Sequence, residues 1–183
     1  MKKNILARNN TALIVVDIQE KFLPVIKNLD EVIENTIKLI KSFQIMKIPI
    51  IVTEQYSKGL GKTVEKIRKE LKDYKPIEKI TFNCFDNTNF SNILKNKKIK
   101  NLVICGIESH VCVTQTLLAA LSGGYTVYLV KDAVSSRKES DYRIAIERAK
   151  QEGAFVTSIE MIVFQLLKKA GTREFKEVLK VIK

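Results

Sequence analysis

Residues 11–17 read TALIVVD, an uninterrupted apolar run that is rich in β-branched residues and ends at an aspartate. Such a run predicts a strand of a parallel sheet, because only a strand with helices on both faces hides all of its side chains. Comparable segments recur along the chain. Further extended segments are predicted at IPIIVTE (48–54), KITF (79–82), IKNLVICG (99–106), YTVYLV (125–130) and AFVTS (154–158).

Segments with apolar residues at helical spacing separate these strands. They cover residues 30–47, 63–72, 88–97, 111–122 and 139–153, and further helices are predicted after residue 158. Glycines follow two of these helices, as they often do at helix ends. Strands that alternate with helices in this way predict an α/β fold with a mostly parallel sheet of about six strands, covered by helices on both faces.

At 183 residues the chain fits a single domain, 1–183. No apolar run is long enough to cross a membrane, and the N-terminal residues lack the pattern of a signal peptide. Cys84, Cys105 and Cys112 form no CxxC pair, which argues against a disulfide framework or a zinc ribbon. We therefore expect a cytoplasmic protein with no membrane partner.

The formal net charge of +12 raises the question of a nucleic-acid partner. The lysines are spread over most of the predicted helices, and the one short cluster, KNKKIK (95–100), lies between a helix and a strand. Neither an aromatic-flanked basic stripe nor a helix-turn-helix pattern accompanies the charge. We expect a solvated, lysine-rich surface and no nucleic-acid partner.

Chemistry is expected at the carboxyl ends of the strands, where parallel α/β sheets bind their ligands. Asp17 ends the first strand, and GIESHVCVTQTLL (106–118) follows a later one. A carboxylate that closes an apolar strand is costly unless it reaches a crevice or a partner, so Asp17 is a candidate general base, with capping of the next turn as the alternative. Lys79 could supply a fixed positive charge near Asp17.

Cys112 lies at the start of a predicted helix, where unpaired N–H groups and the helix dipole stabilise a thiolate. This position predicts a lowered pKa and a nucleophile for acyl transfer; the alternative is a small buried core residue. We prefer the core interpretation for Cys84 and Cys105. His110 could act as a base, although side chains two residues apart on a helix diverge. A transition-metal site is disfavoured, because His110 is the only histidine and such sites need three or four ligands.

These residues belong to six blocks that together resemble the isochorismatase-like cysteine hydrolases over nearly the whole chain. The blocks are ALIVVDIQEKF (12–22), VTEQYSKGLGKTV (52–64), EKITFNCF (78–85), VICGIESHVCVTQTLLAAL (103–121), VKDAVSSR (130–137) and AGTREFKEVL (170–179). The resemblance implies a Rossmann-like three-layer α/β/α fold and a catalytic triad of Asp17, Lys79 and Cys112. It also implies a cis peptide bond between Ile107 and Glu108 that shapes an oxyanion hole.

The resemblance further implies an enzyme that cleaves the C–N bond of a small amide or carbamoyl compound through a Cys thioester, with Asp17 as base and Lys79 as charge support. Isochorismatases proper lack the nucleophilic cysteine, so isochorismate is not the expected substrate. Metal-containing nicotinamidases carry Asp-x-His where this chain reads VTEQYSKGLG (52–61), so we expect no metal and no other cofactor.

The substrate pocket implied by the resemblance includes Phe22, Gln55, Phe85 and Glu108, and its ligand is a small molecule. A homo-oligomer is also expected, because oligomers are common among these hydrolases. The alternative function is a catalytically silent, oligomeric binding scaffold of the same fold.

Overall fold

The computed structural model describes residues 6–183. Six strands in this range form one sheet in which every neighbouring pair is parallel. The strands are β1 (Thr11–Val16), β2 (Ile50–Gln55), β3 (Ile77–Lys79), β4 (Asn101–Ile107), β5 (Thr126–Ser135) and β6 (Phe155–Thr157). Their order across the sheet is β3-β2-β1-β4-β5-β6, so the most apolar strands lie at its centre.

Eight α-helices lie among the described residues, and none of them is both long and apolar enough to span a bilayer. They are α1 (Leu29–Ile45), α2 (Ser57–Leu60), α3 (Glu65–Glu70), α4 (Thr88–Asn96), α5 (Thr114–Ser122), α6 (Glu139–Gln151), α7 (Ile159–Leu167) and α8 (Arg173–Ile182). A π-helical turn, Ser109–Val113, leads into α5. The Asn87 side chain caps α4 by accepting from two backbone N–H groups.

Two hydrophobic clusters cover the two faces of the sheet, because successive side chains of a strand point to opposite sides. Leu13 and Val15 of β1 face the layer built from α1, α3, α7 and α8. Ala12, Ile14 and Val16 face the layer of α4, α5 and α6. All six residues of β1 are buried, which confirms the three-layer α/β/α arrangement.

Three boundaries differ from the sequence-based expectation. Strand β5 continues beyond residue 130 to Ser135, and its register against β4 shifts between Ile104 and Gly106. The extended segment predicted at 79–82 is wrong, because β3 ends at Lys79 and leaves Ile80 68% exposed. The chain turns there so that the carbonyls of Thr81 and Phe82 lie 3.3 and 3.4 Å from the Lys79 ammonium. The helix predicted at 63–72 is shorter, because the regular turns cover only α3.

The strand order reverses direction between β1 and β4. Chain connections run from β1 outward to β2 and β3, then return to β4 and continue outward to β6. At such a switch point the loops after two adjacent strands diverge to opposite faces and leave a crevice between them. Asp17 follows β1 there, and Glu108 follows β4.

Gly106 allows β1 and β4 to approach each other beside this crevice. Its φ is +122°, and a Cβ at this position would lie 2.1 Å from the Val16 carbonyl oxygen. A side chain would therefore clash with backbone that cannot move independently, in a conformation that L-residues rarely adopt. Gly153 also has a positive φ, +96°, but a Cβ there would meet nothing within 4 Å.

We predict that Gly106→Ala lowers the free energy of unfolding by about 3 kcal/mol or more, since it adds a backbone clash to an unfavourable φ. Gly153→Ala, the matched control, adds only the unfavourable φ and should cost about 1 kcal/mol. Urea denaturation followed by circular dichroism measures both values. Equal losses in the two variants would contradict the close-approach role of Gly106.

Candidate active site

Asp17 and Lys79 form a buried ion pair at the carboxyl end of the sheet. Lys79 Nζ lies 2.6 Å from Asp17 Oδ2, and both side chains are 1% exposed. Asp17 has a φ of +52°, a left-handed conformation that aspartate adopts more readily than most residues, and the chain leaves β1 through it. The ends of β1 and β3 thus bring two opposite charges together. Each charge offsets part of the free-energy cost of removing the other from water.

Further hydrogen bonds fix both partners. Thr53, on the neighbouring strand β2, donates from its hydroxyl to Asp17 Oδ1 at 2.6 Å. Lys79 also donates to Gln55 Oε1 at 2.8 Å. Each carboxylate oxygen of Asp17 thus has a donor, and the carboxylate is held in one orientation.

Cys112 lies next to this pair, in the π-helical turn before α5, and is 6% exposed. Its thiol lies close enough to the Asp17 carboxylate for the two groups to interact electrostatically. The structure therefore brings together Asp17, Lys79 and Cys112 from three distant parts of the sequence. A carboxylate beside a thiol is a group that can take the thiol proton when sulfur attacks an electrophile.

The three groups shift one another's protonation. Burial raises the pKa of the Cys112 thiol, and the negative charge of Asp17 raises it further, while Lys79 opposes both. Burial alone would lower the pKa of Lys79, but Asp17 and the nearby thiols Cys84 and Cys112 outweigh it, so the pKa is raised. In the resting site Lys79 is therefore a charged ammonium, and the Cys112 thiol is neutral.

The lowered pKa expected for Cys112 from its place at a helix start is wrong. The helix-start argument considers only the backbone, whereas the thiol is desolvated and faces a carboxylate. A thiol in this state needs a base to take its proton before or during attack on an electrophile. Burial likewise raises the pKa of Cys84 to about 11 and that of Cys105 to about 12.

The Ile107–Glu108 peptide bond is cis, at the position that the resemblance implies. Glu108 is buried, and its carboxylate accepts from the backbone N–H and the side-chain Nε of Arg137, at 3.3 and 2.9 Å. The Glu108 carbonyl accepts from Val111 and Val113 at the start of the π-helical turn. Glu108 therefore anchors the turn that carries Cys112.

His110 lies outside the triad. Its Nδ1 is 3.0 Å from Ser136 Oγ, and its Nε2 is 3.8 Å from Asp141 Oδ2. The ring thus faces the segment after β5, while Cys112 faces Asp17, as the divergence of side chains along a helix predicts. Among residues 6–183, no three His, Cys, Asp or Glu side chains are grouped so as to hold a metal ion.

The predicted pocket residues occupy different surroundings. Phe22 is partly buried against the α1 side of the core. The ring of Phe85 packs edge-on against Phe90, with centroids 5.1 Å apart, and also contacts Tyr125. Gln55 is buried with its amide bound to Lys79. Contact of Phe22, Phe85 or Gln55 with a substrate stays a prediction.

Sequence reasoning missed Thr53 and Gln19. Thr53 is the polar residue in the apolar run of β2, and Gln19 follows Asp17 closely, so a search for polar residues near strand ends would have found both. Cys84 was assigned to the core, and it is fully buried, but its Sγ lies 3.9 Å from the Thr53 hydroxyl and its thiol interacts electrostatically with Lys79.

The raised pKa of Cys112 predicts that its alkylation by iodoacetamide keeps rising above pH 9, where an ordinary cysteine begins to level off. Asp17→Asn removes a charge that raises this pKa, so the rate–pH profile should move to lower pH. Peptide mass spectrometry measures the labelling of Cys112 separately from the other thiols. A parent profile that levels off near pH 6 to 7 would contradict the assignment.

Comparisons with known proteins show the family to which the chain belongs. The family model described as the isochorismatase domain matches residues 11–161. Isochorismatase family protein 1A of Dictyostelium discoideum is 42% identical over 177 residues, covering 94% of this chain and 86% of that protein. The solved MAR1 ribonuclease of Caenorhabditis elegans is 40% identical with a TM-score of 0.91, covering 97% of this chain and 91% of that one.

A more distant solved structure shares the fold. The YcaC gene product of Escherichia coli, which is described as an octameric hydrolase of unknown specificity, is 24% identical with a TM-score of 0.91 and covers 99% of this chain and 92% of that one. The family model spans most of the sequence, including Asp17, Lys79 and Cys112. On this evidence the chain belongs to the isochorismatase family.

Proposed function

We propose that this protein is a metal-independent cysteine hydrolase that cleaves the C–N bond of a small amide or carbamoyl compound. The observation that supports this most is the buried grouping of three side chains, in which Asp17 pairs with the Lys79 ammonium and the Cys112 thiol interacts electrostatically with both. An isolated ion pair would serve the fold alone, but a thiol at its edge adds a nucleophile.

In the first step Asp17 takes the proton of the Cys112 thiol as Sγ attacks the carbonyl carbon. Lys79 stays charged during this step, so a positive charge remains beside Asp17 while the carboxylate takes up the proton. Because the thiol is neutral at rest, proton transfer and formation of the S–C bond are coupled. This coupling protects the thiol from reaction with other electrophiles between turnovers.

The tetrahedral oxyanion that forms is received by the backbone N–H groups of Glu108 and Cys112. The amine or ammonia then leaves with the proton held by Asp17, and a thioester to Cys112 remains. Asp17 next removes a proton from water, which attacks the thioester carbon; the S–C bond breaks, and Cys112 recovers its proton. One water molecule is consumed, and a carboxylic or carbamic acid is released.

We predict that Cys112→Ala and Asp17→Asn each lower amide hydrolysis by more than about a thousandfold, since each removes a group that acts in bond making. Ammonia release from a panel of primary amides and carbamoyl compounds measures this. Cys105→Ala is the matched control, because Cys105 is buried on the opposite face of the sheet. In Asp17→Asn we therefore expect turnover to be lost while Cys112 is alkylated at a lower pH than in the parent.

Full turnover by Cys112→Ala would contradict the proposal. A parent that hydrolyses no member of the panel would favour the silent binding scaffold instead. Circular dichroism spectra of the variants establish that the fold is intact in each case.

Hydrolysis of RNA is a second candidate, which the name of the Caenorhabditis elegans relative and the net charge of +12 favour. Lys95, Lys98 and Lys100 line one surface pocket beside Tyr125, and no acidic residue lines it. Lysines and an aromatic ring are groups that bind single strands. This pocket lies at the amino ends of the strands, at the opposite edge of the sheet from the triad. Because RNA bound there would lie away from Cys112, the location favours an amide as the substrate.

If RNA were the substrate, cleavage of a fluorescent single-stranded oligonucleotide should fall steeply as salt is raised from 50 to 200 mM, since phosphate contacts release counterions. We expect no cleavage by the parent beyond that of Cys112→Ala. If the parent cleaves the oligonucleotide in a salt-sensitive way and Cys112→Ala does not, the amide proposal is wrong and the protein is a ribonuclease.

We also propose a homo-oligomer in the cytoplasm. The octameric YcaC relative supports the oligomer, as do large apolar side chains that one copy leaves exposed. Among these are Leu23, Ile80, Phe82, Ile144 and Met161. The three cysteines are free, and free thiols suit a reducing compartment.

A further inference from the structure

The side-chain amide of Gln55 is engaged at both ends. Its Oε1 accepts from Lys79 Nζ at 2.8 Å, and its Nε2 donates to the Ile80 carbonyl at 2.5 Å. Only 8% of the residue is exposed. A glutamine that recognised a substrate would turn a free donor or acceptor toward the crevice, whereas this amide is turned toward the lysine and the chain that follows it.

Gln19 holds Gln55 in place. It is fully buried, and its Oε1 accepts from the Gln55 backbone N–H at 2.8 Å. Its Nε2 donates to the Gln55 carbonyl at 3.0 Å and to the Gly61 carbonyl at 2.7 Å. Gln55 is the last residue of β2. The bonds from Gln19 therefore hold the Gln55 backbone at the point where the hydrogen bonding of the strand ends.

The register of the sheet puts Gln55 beside Lys79. The two residues are paired across β2 and β3, so their backbones are neighbours at the carboxyl edge. A lysine ammonium on a flexible stem needs acceptors on more than one side to take a single position. Asp17 lies on one side at 2.6 Å and Gln55 on another at 2.8 Å, while the carbonyls of Thr81 and Phe82 are more distant.

A neutral acceptor suits this place. A second carboxylate beside Lys79 would compete with Asp17 for the ammonium and add negative charge near the thiol. An apolar side chain would leave the buried ammonium with a missing partner, and the charged form would be less favoured. The amide of Gln55 satisfies Lys79 and leaves its charge directed at Asp17 and Cys112.

We infer that Gln55, held by Gln19, is a positioning residue that acts through Lys79, in place of the substrate contact that the resemblance implies for it. Its effect on turnover rests on the proposed function, but its effect on the Cys112 thiol does not. The charge of Lys79 favours the ionised form of the Cys112 thiol. Without Gln55 the ammonium would be free to move away from Asp17 and Cys112, and the thiol would then be harder to ionise.

The test is the rate–pH profile of Cys112 alkylation by iodoacetamide in Gln55→Met, which keeps the length of the side chain and removes both hydrogen bonds. We expect the profile to move upward by about one pH unit, which lowers the rate at pH 8 about tenfold because thiolate is the reacting species. Gln44→Met is the matched control. Gln44 donates to the Glu70 carbonyl at 2.8 Å, away from the triad, and its profile should be that of the parent.

A double-mutant cycle separates positioning from a general structural effect. If Gln55 acts through Lys79, Gln55→Met should cause no further shift in a Lys79→Met background. The Asp17→Asn/Lys79→Met pair, which removes both buried charges, replaces that background if Lys79→Met alone does not fold. A shift that persists in either background would overturn the inference, since Gln55 would then act on the thiol by another route.

An unshifted profile in Gln55→Met would also overturn the inference. If this variant fails to fold, Gln55→Asn takes its place, because a stem one methylene shorter withdraws the amide from Lys79; it must show the same upward shift. With an amide substrate, kcat should fall while KM stays unchanged, and a raised KM would assign Gln55 to the substrate pocket. Thiol shifts without any amide turnover would contradict the proposed function and leave the positioning role intact.

Discussion

The buried ion pair between Lys79 and Asp17 is the interaction on which the rest of the site depends. Two charges removed from water lose several kcal/mol of hydration each, and a pair at 2.6 Å offsets this only if its other donors and acceptors are also satisfied. Thr53 and Gln55 meet that need. The polar contacts around the ion pair are therefore required by it, because a buried charge with an unsatisfied donor or acceptor would cost too much free energy.

The fold makes this pair possible by bringing strand ends together. Asp17 follows β1, Thr53 and Gln55 lie at the end of β2, and Lys79 ends β3. Cys112 reaches the same place from β4 across the switch point. Parallel strands place all their carboxyl ends on one edge, so four segments far apart in the sequence converge without a long loop.

The thiol illustrates how local and tertiary effects compete. A helix start favours a thiolate, but this effect is modest and confined to the first turn. Desolvation and a neighbouring carboxylate act in the opposite direction and win, so the pKa of Cys112 is raised. Burial makes the largest contribution to this rise, and the charge of Asp17 adds to it, so the thiol is held in its neutral form.

The sequence by itself determined the α/β class, the order of strands and helices, and the family resemblance that named Asp17, Lys79 and Cys112. The spacing of apolar residues is a local signal, which is why the elements could be predicted, whereas the three site residues were taken together from the resemblance of the six sequence blocks. The ends of β3 and β5 depended on tertiary contacts, because the chain turns around the Lys79 ammonium and the register of β5 shifts against β4. Only the tertiary structure decided the roles of Thr53, Gln19 and Gln55 and the direction of the Cys112 pKa, since these depend on which strand ends lie side by side and on how much water reaches them.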